Sequence, residues 1–413
     1  MSMPWTNSEF VPTTNVNESR GYAVRAGRPA PAAPYGAGGT ETYLAEVFGL
    51  GKFHKAGLIE EMSTGRTWCL QSDEGASLGG TNRAPAPLLH WLAGLQADVA
   101  SRIVAVARSR SIALEYVHVG VSQGLAAKGS FARGEAVALI FGLDWDFDIR
   151  TAATETEIDD IVDTAMRASP AVAAMRDAKE GLFALHTNGQ STSLEGLTAW
   201  EKPTVVDPND RYRTLPRATG EKTEQIFTFV DGGGKPAEAQ AKTAPHSSRD
   251  DASEVPIDFY VDARGELDLE TGLMRASTGV PDRTSDRWLI LMDPNGQLAP
   301  TPLAMFAIGT AFCYHTQLSR YVNVRRLDLA DSSLAQLATY TSVDPNNNET
   351  APAGEIRTDM FLNGGASQDE TRSLLRVAAN TCFVHRAMSV EVSMTTDISV
   401  HRGNATRLGD SLT

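Results

Sequence analysis

The chain has 413 residues, is 42% hydrophobic and carries a net charge of −14. That length allows two or three domains, and the composition supports a folded core rather than global disorder. The acidic balance excludes a nucleic-acid or anionic-membrane surface, since both need dense Lys and Arg. No apolar run approaches the roughly 18 residues of a membrane span.

Residues 1–40 read as an N-terminal arm. Met1 to Pro34 is polar and lacks the apolar stretch of a secretion signal, which places the expectation in the cytoplasm. There the sequons at Asn17, Asn348 and Asn404 carry no meaning. A first domain spans 41–188. Tyr43 to Phe53 and Ala56 to Met62 read as a hairpin around Lys55, and Thr67 to Ser72 as a third strand. A long helix follows from Pro87 to Arg108, with Pro at the first helical position, where its missing N–H costs nothing. Leu88, Leu89, Trp91, Leu92, Leu95, Val99, Ile103 and Val104 leave it few polar faces, so it is read as central and buried. Strands at Ile112–Ser122 and Ala136–Ile149, helices at Glu155–Ala168 and Pro170–Asp177, and a strand at Leu182–Thr187 close the unit.

Residues 189–256 form a linker with one short strand candidate, Gln225–Val230, and a polar stretch, Ala237–Ser253. Its Gly232-Gly233-Gly234-Lys235 lacks the spacing and the Ser/Thr of a phosphate loop. A second domain, 257–413, repeats the element order. Strands fall at Ile257–Leu269, Gly272–Thr278 and Trp288–Met292. Thr301 caps a helix from Pro302 to Val322. Strands at Arg326–Ser342 and Glu355–Leu362, helices at Gln368–Asn380 and Cys382–Met388, and a strand at Ser389–Val400 follow. The order predicts an α+β fold, each domain a curved antiparallel sheet around a long buried helix.

The repetition extends to residues. Ala299-Pro300-Thr301-Pro302-Leu303 has a near-copy 215 positions earlier in Ala84-Pro85-Ala86-Pro87-Leu88. Asn380 to Met388 matches Arg167 to Met175 at an offset of 213. Within this alignment Asp98 stands where Cys313 stands, and Ser169 where Cys382 stands. Only the second half keeps the thiols.

Ser72-Asp73-Glu74, Leu78-Gly79-Gly80-Thr81-Asn82 and the Ala-Pro-Ala-Pro-Leu segment, leading into a buried helix, resemble the OsmC/Ohr family of osmotically induced and organic-hydroperoxide-resistance proteins. So do Ala311-Phe312-Cys313 and Ala378 to His385, the latter similar to the family's Cys-Pro-Val-His segment with Phe383 in place of proline. The resemblance implies an intramolecular pseudo-dimer, because family members are dimers with active sites at the interface. It implies thiol-dependent reduction of hydroperoxides, with Cys313 peroxidatic and Cys382 resolving. It further implies a dithiol or dihydrolipoyl-type reductant. The residues themselves call for no metal or other cofactor, and they leave open whether pseudo-dimers assemble into a homo-oligomer. Ohr-type members place a Glu ten residues before the helix cysteine to orient an activating Arg, and here Leu303 stands there. Arg264 is therefore the first candidate cation for Cys313 and Arg275 the second, with Lys52 and His54 in the corresponding region of the first half.

Cysteine attacks a peroxide only as thiolate, so a cation or dipole must favour that form. The plainer reading is two buried core thiols. His315 and His385 lie two and three residues from the thiols, so a Cys–His nucleophile acting on a non-peroxide molecule is the alternative enzyme. The Cys/His set fits no known zinc spacing. A small-molecule-binding stress protein without catalysis is the third reading. Asp98 on an apolar helix needs a partner, either Arg102 at i+4 on the surface or a cation across the interface. Gly75-Ala76-Ser77-Leu78-Gly79 mimics a hydrolase elbow but lacks the helix directly after it, and Cys69 aligns with neither thiol.

Overall fold

The structure is a computed structural model, and it describes residues 20–25, 38–200, 206–209, 225–233, 243–247, 254–344, 347 and 349–402. Most of the arm and of the polar stretch Ala237–Ser253 lies outside the described residues, as do Gly234, Lys235 and the sequon positions Asn17, Asn348 and Asn404.

The first half runs β1 (Gly21–Arg25), β2 (Gly39–Gly51), β3 (His54–Glu61), β4 (Arg66–Ser72), α1 (Pro87–Ser109), β5 (Leu114–Lys128), β6 (Val137–Thr151), α2 (Glu155–Ala168), α3 (Pro170–Arg176) and β7 (Leu182–Thr187). Four short strands follow: β8 (Gln190–Thr192), β9 (Phe227–Val230), β10 (Thr243–Pro245) and β11 (Glu254–Pro256). The second half runs β12 (Phe259–Leu267), β13 (Met274–Gly279), β14 (Arg287–Met292), α4 (Pro302–Arg325), β15 (Leu329–Ser342), β16 (Ile356–Gly364), α5 (Gln368–Thr381), α6 (Phe383–Met388) and β17 (Met394–His401). The local signals recur at matching places. Pro opens both long helices, and Thr154–Glu157 and Ser367–Glu370 form capping boxes at the starts of α2 and α5.

The fold is α+β, but neither sheet belongs to one half. One sheet has the order β1-β4-β3-β2-β15-β16-β7-β8, and the other β9-β14-β13-β12-β5-β6-β17. Each half therefore lends its first and last strands to one sheet and its two middle strands, β5 and β6 or β15 and β16, to the other. This corrects the expectation of one sheet per domain. The long central strands leave an open edge that only the other half's strand can cover, along Gly39–Phe48 with Ser333–Ser342 and along Phe259–Glu266 with His118–Leu125. The sheets are also mixed rather than purely antiparallel, since β7 runs parallel to β16 and β17 parallel to β6.

The long helices cross between the sheets. A Cβ on Gly94 would lie 2.4 Å from the backbone N of Phe306, and one on Gly309 2.4 Å from the backbone N of Trp91. Trp91 and Phe306 stack beside the crossing with centroids 6.0 Å apart. Covered by each other and by the sheets, α1 and α4 are buried on almost every face, as their apolar sequences require. One local reading changes. The hairpin turn lies at Gly51–Phe53, where Gly51 and Lys52 take φ of 130° and 49°, so Lys55 sits inside β3 rather than at the turn.

Candidate active site

Helix α4 packs on β2, β3 and β15, so the side chains facing its inner surface come from the first sheet. Gly57 makes the approach possible: a Cβ there would lie 2.7 Å from Ile308 Cδ1 and 2.8 Å from Phe312 Cε1. Cys313, in the middle of α4, is buried. Cys382 is the N-cap of α6 and fully buried, and its Sγ accepts from the backbone N–H of His385 at 3.4 Å. Cys313 lies near enough to act on Cys382: burial first and the Cys313 thiol next push the Cys382 thiol well above the usual range. The structure brings Cys313 and Cys382 together across 69 positions of sequence.

The cation at this site is Lys55. Its Nζ donates to Thr316 Oγ1 at 2.7 Å, and Thr316, one helical turn beyond Cys313, donates to Glu74 Oε1 at 2.9 Å. Burial pulls the Lys55 ammonium down, opposed by the charges of Glu74, Asp73 and Cys313. Burial pushes Glu74 up, opposed by Lys55. The loop after β4 presents Glu74 because Asp73 ties it down, accepting from the amides of Glu74, Thr81 and Arg83 and from the Thr81 hydroxyl. That is the physical content of the Ser-Asp-Glu and Thr-Asn signatures.

The histidines nearby stay neutral. His315 is within reach of Ser332 Oγ at 3.2 Å, and burial, with Lys55 as a second cause, lowers it to about 3. His90 donates from Nδ1 to the Ala86 carbonyl at 3.0 Å, and burial lowers it to about 4. His385 packs edge-on against Phe183 at 5.3 Å, close to Tyr314, and burial followed by Arg386 lowers it to about 4.

Arg264 and Arg275 are not at the thiols. Strand exchange puts β12 and β13 in the sheet beneath α1, not beneath α4. The Arg264 side chain is 63% exposed and pairs with Asp262 at 3.3 Å, and Arg275 is also exposed. Of the first-half candidates, His54 bonds Gln71 at 3.1 Å and Lys52 sits exposed at the turn. Sequence reading missed Lys55, Glu74 and Thr316. A signal existed: Lys55 shares the inward parity of Gly57 and Ile59, a costly place for an unpaired ammonium.

The corresponding place in the first half is also built. Ser169 Oγ donates to Asp98 Oδ2 at 2.5 Å, and Arg102 Nε reaches both Asp98 oxygens at 3.1 Å. The pair is i, i+4 but fully buried, not a surface pair. Lys55 pairs with Gly49 and with Ser72, the residue before Asp73, and the matching position in the other sheet is Met274, which pairs with Leu267 and with Met292, the residue before Asp293. The strand cation is thus missing where the thiols are missing.

Residues 294–397 match the model of the OsmC family, described as OsmC-like protein, so the cysteine-bearing half carries an OsmC-like domain. That family is associated with redox and peroxide-resistance roles. A solved structure of an organic hydroperoxide resistance protein OsmC from Legionella pneumophila is similar at 23% identity, over 30% of this chain and 88% of that one, with a TM-score of 0.23. No curated protein matches the chain. Among the described residues no helix is long and apolar enough to cross a membrane, and no group of three or more His, Cys, Asp or Glu is placed to hold a metal ion.

Proposed function

We propose that the chain reduces organic hydroperoxides with Cys313 as the attacking thiolate and Cys382 as the resolving thiol. The observation that carries this reading is the nearness of the two thiols to each other and to a buried lysine that bonds Thr316, one helical turn beyond Cys313. A core thiol pair needs no ammonium, and burying one is costly unless a charge or hydrogen bond compensates it.

The Cys313 thiolate attacks the distal peroxide oxygen, the O–O bond breaks, and the alkoxide leaves as alcohol after taking a proton. Cys313 is then a sulfenic acid. The Cys382 thiol condenses with it, forming the disulfide and releasing water. Lys55 supplies the positive charge that favours the thiolate. Glu74, raised by burial, is the base that takes the thiol proton through Thr316 and Lys55. Moving that proton between buried groups leaves the net charge of the site unchanged, which avoids most of the cost of a lone buried anion. A dithiol then resets the disulfide.

The test is single-turnover consumption of cumene hydroperoxide. Cys313→Ser consumes none, Cys382→Ser gives one turnover and stops at sulfenic acid, and Cys69→Ser behaves as the parent. Full consumption by Cys313→Ser ends the assignment.

A further inference from the structure

Helix α4 carries a stripe of side chains outward from its thiol. Cys313, Gln317 and Arg320 stand at i, i+4 and i+7, on one face of the helix. The Arg320 guanidinium, half-buried, donates to Gln317 Oε1 at 3.3 Å and lies over the Phe131 ring at 4.4 Å. A second guanidinium comes from the turn between β13 and β14. Arg283, exposed, lies over the Phe259 ring at 4.2 Å, and Phe259 packs edge-on against Phe383 at 5.6 Å. Phe383 directly follows Cys382 in the chain. Each thiol-bearing segment thus leads to one of the two arginines. Burial lowers the Arg320 guanidinium, Glu74 opposes the shift and Arg283 adds to it, so the two cations stand within each other's field. Among the described residues no carboxylate is in ion-pair contact with either guanidinium. Asp282 accepts instead from the Tyr260 N–H at 2.8 Å, and Glu74 from the Thr316 hydroxyl at 2.9 Å.

We propose that Arg283 and Arg320 hold a phosphate monoester, and that the hydroperoxide substrate of the two-cysteine reading above carries that group. Two cations held near each other are balanced by a dianion, whereas a carboxylate would leave one positive charge uncompensated. The planar fork of a guanidinium also matches a pair of phosphate oxygens. Phe131, Phe259 and Phe383 supply an apolar surface for the carbon skeleton between the two ends of the substrate. The helix sets its length. Arg320 stands two turns beyond Cys313, about 10 Å along the axis, so the phosphate and the O–O bond stand about that far apart. The phosphate does not react. Its binding holds the distal peroxide oxygen toward Cys313, as remote contacts do when they orient a reacting group.

Phenyl phosphate has the dianion and a ring but no O–O bond, so it reads the site apart from the thiol chemistry. Its Kd, measured by titration calorimetry at physiological ionic strength, should rise about tenfold in Arg283→Gln and further in the double variant with Arg320→Gln. Arg275→Gln, on the same sheet but outside the pair, should match the parent. Benzoate should bind the parent more weakly than phenyl phosphate does. Phenyl phosphate should also raise the KM for cumene hydroperoxide in the parent. An equal Kd in the parent and the double variant, or benzoate binding as tightly as phenyl phosphate, would overturn the inference. Failure of cumene hydroperoxide to oxidise the reduced parent, with phenyl phosphate still bound through the two arginines, would instead strike the peroxidase reading and leave the anion site standing.

Discussion

Lys55 Nζ lies 2.7 Å from Thr316 Oγ1, and the two residues come from opposite halves of the chain. Strand β3 of the first half and helix α4 of the second thus build one site, with Cys313 a helical turn from the contact. Replacing Lys55 by Met, which keeps the length and removes the charge, should lower the rate of Cys313 oxidation by about two orders of magnitude, the scale on which a preorganised charged donor acts. Lys55→Arg should recover part of it. Stopped-flow oxidation with cumene hydroperoxide reads both, and an unchanged rate in Lys55→Met would remove the lysine from the site.

The first-half site should stay silent when thiols alone are restored. Asp98→Cys with Ser169→Cys places two thiols in contact, yet Met274 occupies the position of Lys55 there. The double variant should show the parent's turnover per chain. Adding Met274→Lys should raise it. A doubled rate without the lysine would show that a thiol pair suffices.

Asp98 and Arg102 should matter to stability rather than to turnover. Asp98→Asn leaves a guanidinium of 2% exposure beside a neutral amide. Breaking a buried pair from one side costs roughly 3–5 kcal/mol. Urea denaturation should show a loss on that scale. A loss below about 1 kcal/mol would mean that Arg102 finds other compensation.

The helix crossing should tolerate no side chain. Gly94→Ala and Gly309→Ala each gain about 1 kcal/mol of helix propensity. Each also forces a Cβ to within 2.4 Å of a backbone nitrogen on the facing helix. Overpacking of this kind costs typically 1–3 kcal/mol or more, and backbone cannot rotate away as a side chain can. Both variants should lower the urea midpoint. A raised midpoint in either would mean that the helices can slide apart.

Acid should destabilise the fold through its buried imidazoles. His90 and His315 are lowered to about 4 and about 3, against about 6.5 in the unfolded chain. Their neutral forms are compatible with folding above pH 6.5. Below it the unfolded chain binds protons that the folded one refuses, so stability falls until the folded values are reached. Each imidazole contributes up to about 1.4 kcal/mol per pH unit in that window. His315→Asn should make the pH dependence of the urea midpoint shallower between pH 6.5 and 4.5, and an unchanged slope would place the acid sensitivity elsewhere.

Local chemistry written in the sequence accounts for most of the elements. Proline at the first helical position, Thr and Ser caps answered by Glu three residues later, and two helices apolar on nearly every face need no distant information. The repeat, with Asp98 and Ser169 in the places of Cys313 and Cys382, was legible for the same reason: it is a comparison of the chain with itself. Tertiary structure alone decided which strand lies under which helix. Arg264 is an apt cation by sequence position, but pairing of β2 with β15 and of β12 with β5 sends each half's first strands across to the other half's helix. Backbone pairing is blind to the half from which a strand comes, so no local signal records that exchange. Lys55 became the residue beside Cys313, and Arg264 an exposed partner of Asp262, through that exchange alone.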